Sequence, residues 1–415
     1  MISKPHHFDV IVIGGGAAGL MAAGRAAERG KRVLLFEKNQ KAGEKLRITG
    51  GGRCNITNAE EDTKALLSHY GSAEPFLHSA FSEFGVQETF KFFEPRKLPL
   101  KVEARKRAFP QSEKAPDVVR TLVSYVREGK VDVRLGTPVR QVVVADGKVE
   151  KIIASGGEFF ADSYIFATGG VSHPETGSTG DGFGWLRALG HTVEEPTPTI
   201  VPLKAKDPWI RSLAGKSLPD AKITFYLGTE KKFSSTGTIL LTHFGLSGPT
   251  ILNNAGKVAD LLHEGPVTAT IDLYPTFNIG ELDTKFREHL DAHKNKLLKN
   301  VAHGFLPPGT VDVLLALAPS VDPEKKAHSV TKEERRALVD MAKALPVSIS
   351  GLMGFDRAVV ADGGVRLTEI DMRTMRSLRA PNLFVIGDLL HIQRPSGGYS
   401  LQLCWTTGYV AGSNA

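Results

Sequence analysis

Cysteine is almost absent from this sequence. Cys54 and Cys404 are the only two in 415 residues, and they form no C-x-x-C. That excludes a disulfide framework and a dithiol relay, and it fits a reducing, cytoplasmic setting. No apolar run approaches the ~18 residues that a membrane-spanning helix needs, so no membrane partner is expected. The opening MISKPHHFDV has no apolar core of the secretory type. Solenoid-type repeats are missing too. Only one G-x-G-x-x-G follows a strand-like run, so the chain has no separate NAD(P)H domain; Gly177 to Gly182 (GSTGDG) does not fit that pattern and reads either as a cofactor- or substrate-facing loop or as an ordinary turn. No metal site is expected. Charge is the one quantity in surplus, with 52 Lys and Arg against 45 Asp and Glu and a formal net charge of +7. A basic surface suits a polyanion such as RNA, although part of the charge can also face an anionic cofactor.

What is present begins at Phe8. The β-branched run Val10 to Ile13 predicts a buried parallel strand. It leads directly into Gly14-Gly15-Gly16-Ala17-Ala18-Gly19, an Ala-rich helical segment, a stop at Gly30 and a second strand from Arg32 to Phe36. This is the grammar of a dinucleotide site. Gly14 allows the tight turn, Gly16 lets backbone approach a pyrophosphate, and Gly19 lets helix and strand pack closely. The helix start offers free N–H groups and the positive end of its dipole. Glu37 lies 18 residues beyond Gly19, where a carboxylate binds ribose hydroxyls and disfavours a 2′-phosphate. The nucleotide is therefore FAD or NAD.

Further along, Lys41 to Asn58 is a glycine-rich loop carrying Arg47, Arg53 and Cys54. Residues 60–93 read as helical, with Phe76, Phe81, Phe84, Phe90, Phe92 and Phe93 as core. A basic stretch holds Lys97, Lys101, Arg105, Lys106 and Arg107, interrupted by Glu103. Asp117 to Glu128 has the apolar spacing of an amphipathic helix. Strands are expected at Val131 to Leu135, Val139 to Ala145 and Lys151 to Ala154, with a hairpin turn at Asp146-Gly147. The stretch Asp162 to Gly170 reads as a strand ending in a small-residue turn. Prolines 196, 198, 202 and 208 mark a change of composition. The domains expected are residues 1–195 for the first part of the nucleotide domain, 196–275 for a β-rich insertion, 276–345 for a helical cap, and 346–415 for the remainder of the nucleotide domain.

The C-terminal segment decides between the two nucleotides. Asn382 to Ile386 is a buried-strand pattern ending in Gly387-Asp388, and Gly397-Gly398-Tyr399-Ser400-Leu401-Gln402 opens a last helix. FAD has a ribityl chain for such a carboxylate, and a helix start facing the polar edge of its ring stabilises negative charge on the reduced form. NAD needs no such second cluster. Asp388 as a simple cap is the alternative.

FDVIVIGGGAAGLMAA, TGGGRCNITN, FATGGVSHPETGSTGDGFGWLRALGH, LLTHFGLSGPTIL and GGYSLQLCWTTGYVAG together resemble the BaiN/RdsA-type flavoproteins, also called aminoacetone-oxidase-like. The similarity runs almost end to end. It implies an α/β fold: a glutathione-reductase-2-type, Rossmann-like FAD-binding domain with an inserted β-barrel-like domain and a helical cap. It also implies FAD contacts from Gly14, Gly16, Gly19, Glu37, Lys38, Gly51, Gly52, Arg53, Cys54, Asn55, Val139, Thr168, Gly169, Asp388 and Gly398 to Leu401 (Tyr399 and Ser400 included). Ala17, Ala18, Arg47, Gly170 and Gly387 are expected to bind the cofactor as well. Two positions depart from the family pattern. Gly387-Asp388 stands where Gly-Glu followed by Asp-x-Asp-Gly is frequent, and Ser400 replaces Asn in G-G-Y-N-L-Q.

The implied activities are reduction of an activated C=C bond, either in ribosomal RNA uracil or in an enone-like small molecule, and oxidation of small amines by oxygen. A non-catalytic, flavin-containing RNA-binding factor is the rival of another class. NAD(P)H, as reductant, would approach transiently through the substrate cleft. Uracil reduction needs hydride at C6 and an acid at C5. Cys54 is the first candidate acid, although Arg53 beside it favours a thiolate and a packing role is the alternative. His243 and His391 are the other candidates, and Tyr399 reads as packing. An RNA substrate requires a flipped base and a phosphate track, for which the basic stretch from Lys97 and Lys285, Lys294, Lys296 and Lys299 are available; a solvated charged face is the plain alternative.

Overall fold

The computed structural model describes residues 6–415; the first five residues of the opening segment lie outside it. By internal packing the chain divides into two units, Met1–Pro198 with Val359–Ala415, and Thr199–Ala358.

The first unit is built on a parallel sheet. The strands His6–Ile13 and Val33–Phe36 pair in parallel, as the apolar runs require. Asp132–Arg134 extends one side. On the other side Gly157–Phe166 pairs with the first strand, and Leu383–Val385 then adds to Gly157–Phe166. The last strand of this sheet thus comes from the far end of the chain. An antiparallel hairpin, Val139–Ala145 with Lys148–Ala154, joins the early part of Gly157–Phe166. Its turn residues Asp146 and Gly147 have φ of 48° and 71°, the left-handed geometry of a tight hairpin.

Ala17–Glu28 lies against this sheet, and two longer helices pack against Ala17–Glu28. Ala115–Glu128 buries Val118, Val119, Leu122, Tyr125 and Val126, the stripe expected from its spacing. The C-terminal helix, Tyr399–Asn414, is buried almost all round. A Cβ on its Gly408 would lie 2.5 Å from Ala18 O, and one on Gly412 would lie 2.4 Å from Ala22 O, so both must be glycine for this helix to lie against Ala17–Glu28. Five of the six phenylalanines expected as core are buried, and Phe90 is half-buried against them. The basic stretch, by contrast, is a short hairpin, Leu100–Glu103 with Arg107–Pro110.

The second unit is a closed, six-stranded antiparallel barrel with attached helices. Its strands are Leu203–Ala205, Gly245–Ser247, Glu230–Thr242, Ser217–Leu227, Val267–Asp272 and Leu345–Leu352, the last pairing back onto the first. Alternate residues such as Ile223, Phe225, Val267, Ala269, Ile271, Val347 and Ile349 are buried and fill it. The helices Ile279–Ala292, Leu298–Ala302, Val311–Ala316 and Lys332–Lys343 form one excursion between its last two strands. This moves the expected boundary at 345/346 to 358/359, because Leu345–Leu352 is a barrel strand and not the return of the nucleotide domain.

Candidate functional site

The glycine turn is locked by close backbone approach. A Cβ on Gly14 would lie 2.4 Å from Ala167 O, and one on Gly19 would lie 1.9 Å from Gly14 O. Gly16 has nothing within 4 Å of that position, so the face meant for a ligand is open, and Ala17 and Ala18 begin the helix beside it. Glu37 is buried and accepts from Gly15 N–H and Asn39 N–H, each at 2.7 Å. Burial raises its pKa, against the lowering by the Asn39 and Gly15 N–H groups and by Lys38. Its carboxylate is thereby aimed across the turn. Lys38 pairs with Asp181 at 2.8 Å, and Asn39 Nδ2 donates to Thr176 O, so the Gly177 to Gly182 loop is pinned to the end of the acid-bearing strand. Gly136 and Thr137 donate to the carbonyls of Asn39 and Glu37, which brings the chain alongside this end two residues before Val139.

The loop after Arg47 has a different shape. Gly50, Gly51 and Gly52 have φ of 57°, 67° and 85°, and Cys54 follows at 63°. Left-handed geometry at successive residues suits glycine, and a Cβ on Gly51 or Gly52 would meet nothing within 4 Å. Asn55 Oδ1, Thr168 Oγ1, Arg47 Nε and Arg53 Nε are buried without a hydrogen-bond partner in the protein. Unmet polar atoms near an open glycine cradle are what a polar ligand would satisfy.

Thr168, Gly169 and Gly170 link the two ends of the cradle. The backbone at Ala167 and Thr168 crowds Gly14, and a Cβ on Gly170 would lie 3.4 Å from Asp388 O. Gly387 donates to Thr407 Oγ1 at 3.1 Å and faces Ala18. Gly14, Glu37, Thr168, Asp388 and the start of the last helix thus lie along one continuous path.

Asp388 is not free. It pairs with Arg394, and Lys45 Nζ stands 3.9 Å from its other oxygen. Burial lowers the pKa of Lys45, and Asp388 opposes that lowering. Arg394, buried, also donates through Nε to Ser400 Oγ at 3.1 Å. Lys45 and Arg394 carried no signal in a sequence read for carboxylates and glycines. The path is further clamped by Gln402, which accepts from Thr57 and Thr89, and by Trp405, which donates to Ile56 O. Leu401, half-buried, packs against the core beside them.

The expected chemistry of Cys54 is corrected in one respect. Its thiol is fully buried, and burial pushes its pKa up to about 12 against a hydrogen bond with Thr49, so it is no thiolate. Arg53 does not act on it as expected, because its guanidinium is held by Glu103 and Glu113 and lies 4.1 Å from the centre of the Phe109 ring. Tyr399 is buried, its ring edge-on to Tyr70, whose hydroxyl donates to the Tyr399 carbonyl. His391 is half-buried between Asp388 and Arg394 in sequence, and its Nδ1 has no hydrogen-bond partner. His243 is exposed on a barrel turn of the second unit. No cluster of metal-ligating side chains occurs among the described residues.

The family profile described as the HI0933-like protein Rossmann domain matches residues 8–414. The chain is 31% identical over 407 residues to the 3-dehydro-bile acid delta(4,6)-reductase of Clostridium scindens, covering 97% of this chain and 98% of that protein. It is 30% identical over 406 residues to the ribosomal RNA dihydrouridine synthase of Escherichia coli, covering 97% and 96%. Among solved structures, the 3-ketosteroid-delta4-(5alpha)-dehydrogenase of Rhodococcus jostii superposes with a TM-score of 0.55 at 16% identity, over 100% of this chain and 98% of that one. That likeness shows the fold. The chain belongs to the HI0933-like Rossmann family, the BaiN/RdsA-type group, as an oxidoreductase whose cofactor is FAD.

Proposed function

We propose that this enzyme reduces a carbonyl-conjugated C=C bond, with uracil in ribosomal RNA as its leading substrate and NAD(P)H as a transient reductant. Bound FAD supplies hydride transfer at N5. The protein's share is to hold it. Gly14 to Gly19 would bind the pyrophosphate, Glu37 the adenosine ribose, the Gly51 to Asn55 loop and Thr168 the middle, and Asp388 with the start of the last helix the ribityl and ring end.

One observation carries the RNA reading. The Asn58 side-chain amide donates to both Arg105 O and Gly397 O, at 3.2 and 3.3 Å. This fixes the tip of the basic hairpin beside the turn that opens the last helix. Arg105 and Lys106 are exposed there, and no carboxylate pairs with Arg105 among the described residues. A cation held at the mouth of the ring end suits a phosphate flanking an inserted base. The stretch is not a continuous track, however, since Lys101 pairs with Glu103 and Glu113, and Lys106 with Glu60.

The proton for C5 is assigned to His391 in preference to Cys54. A thiol near 12 releases its proton too reluctantly for work at neutral pH, whereas the half-buried His391 keeps a ring nitrogen, Nδ1, with no partner in the protein and so open to a substrate atom. An rRNA substrate places the reaction in the cytoplasm. The bile-acid relative supports a second reading, an enone of small size, and FAD reactions with amines and oxygen form a third. Dihydrouridine in rRNA digests of a deletion strain separates the RNA reading from the other two. Loss of a dihydrouridine that returns on complementation supports the proposal, and unchanged content overturns its RNA part.

A further inference from the structure

The buried arginine at the ring end has no role in the account given so far. The Arg394 side chain is 1% exposed. Its fork reaches Asp388 Oδ1, the Ile392 carbonyl and Ser400 Oγ. Three acceptors on three sides fix the guanidinium at the start of Tyr399–Asn414. Nothing apolar explains such a placement, because a buried guanidinium stays charged and costs much to bury unless its field is used or fully compensated. Asp388 supplies one opposing negative charge, shared at 3.9 Å with Lys45, whose own pKa burial lowers; the guanidinium of Arg394 is therefore the charge fixed at this place. Cys404 nearby is buried, and its burial pushes the thiol up to about 12, so it adds no negative charge. The free N–H groups of the last helix point the same way in sign.

From this we infer that Arg394 is a positioning residue that sets the electron affinity of the bound flavin. It holds Asp388 and Ser400 in register, and it places a fixed positive charge where the reduced ring carries its negative charge. The inference rests on FAD lying along the path from Gly14 to Ser400, and it requires nothing about the substrate. Lys45 stands on the other side of Asp388, 3.9 Å from its second oxygen, so the carboxylate is held between the two side chains.

The test uses the purified, FAD-loaded protein and sulfite, which adds to flavin N5 more tightly as the surrounding positive charge increases. R394Q is expected to remain yellow, to bind sulfite about tenfold more weakly, and to have a two-electron potential lower by about 30 mV if the redox equilibrium shifts by the same factor. R394K keeps the charge and loses the fork, so its sulfite affinity should stay within about threefold of the parent. Should R394Q fail to fold, R394K still decides: a tenfold loss of sulfite affinity with the charge intact overturns the role of charge, and an affinity held within about threefold supports it. A yellow R394Q with unmoved sulfite affinity and potential overturns the inference outright, leaving Arg394 as a brace. Protein that takes up no FAD in any form would instead overturn the flavin path itself.

Discussion

The two units handle buried polarity in opposite ways. In the barrel and its helices the interior is almost wholly apolar, and Thr224, Thr250, Thr310 and Glu334 are its only buried polar residues among those described. The nucleotide unit buries Glu37, Thr57, Asn58, His191, Glu369, Arg394, Gln402, Thr406 and Thr407, among others. Almost all of these sit where backbone from distant parts of the chain must be held together. Apolar packing in the barrel is non-directional, and many side chains of similar volume would serve. A cradle assembled from residues 14, 37, 55, 168, 388 and 400 needs directional bonds to fix its parts. The proposed FAD cradle therefore lies in the unit that carries the polar burial.

The largest effects should fall on stability and should separate the units. Phe225 is fully buried in the barrel and stacks on Phe233 at 4.8 Å. Phe225→Ala should cost about 3–5 kcal/mol in denaturant unfolding while the visible spectrum of the bound flavin stays the same. A changed spectrum would break the division drawn above. Gly19→Ala is the counterpart in the other unit, placing a methyl 1.9 Å from Gly14 O. It should cost about 1–3 kcal/mol and also release FAD, as measured by retention on desalting. Full retention would show that the turn can relax.

Acid should act next, through His191 and Glu369. His191 Nδ1 lies 2.9 Å from Glu369 Oε2 and its Nε2 lies 2.7 Å from Ser377 Oγ. Burial alone would raise the pKa of Glu369, but Thr192, His191 and Arg379 outweigh it and hold the carboxyl at about 2. Burial lowers the pKa of His191 against the pull of Glu369. Both folded values lie below the unfolded ones, so the unfolded chain binds more protons and stability falls as pH falls. The His191 contribution is complete above about pH 6.5 and begins to be lost below it; the Glu369 contribution is lost from about pH 4.5 toward 2. Melting temperature against pH should show the second fall disappear in Glu369→Gln. An unchanged acid limb would place the sensitivity elsewhere.

How much of this was legible in the sequence follows the same division. The glycine turn, Glu37, the hairpin at Asp146-Gly147 and the last helix were readable because each is specified by local backbone needs and short spacing. From the residue pattern alone the barrel was readable only as a β-rich stretch, and a barrel was implied by the family resemblance, since closure depends on Leu345–Leu352 returning to Leu203–Ala205 across more than a hundred residues. The same holds for the clamps. Gln402 meets Thr57 at a separation of 345 residues, and no periodicity announces such a pair. Lys45 and Arg394 were invisible for a further reason: in a basic chain, a cation bound for burial looks like any other.

Cys54 gives a smaller and sharper test of where chemistry sits. With the thiol buried and near 12, Cys54→Ala should leave FAD bound and change turnover less than about twofold, whereas His391→Gln should slow it by about 100-fold if His391 delivers the proton. Turnover lost in Cys54→Ala and kept in His391→Gln would reverse the assignment.

The smallest effect concerns the hairpin. Among its cations, Lys101 and Lys106 already have carboxylate partners, while Arg105 lacks one and is exposed beside the Gly397 turn. Neutralising a paired lysine leaves one carboxylate charge unbalanced nearby and weakens RNA binding by repulsion, without removing a phosphate contact. Arg105→Gln removes the contact itself. In titrations with an rRNA fragment, each lost contact should lower the slope of log K against log salt by ~0.7 to 0.9. Arg105→Gln is therefore expected to flatten the line by about one contact, and Lys101→Gln to shift it with its slope kept. Equal slopes in all three proteins would mean that the phosphates are held elsewhere, and would remove the hairpin from the list of differences between the two units.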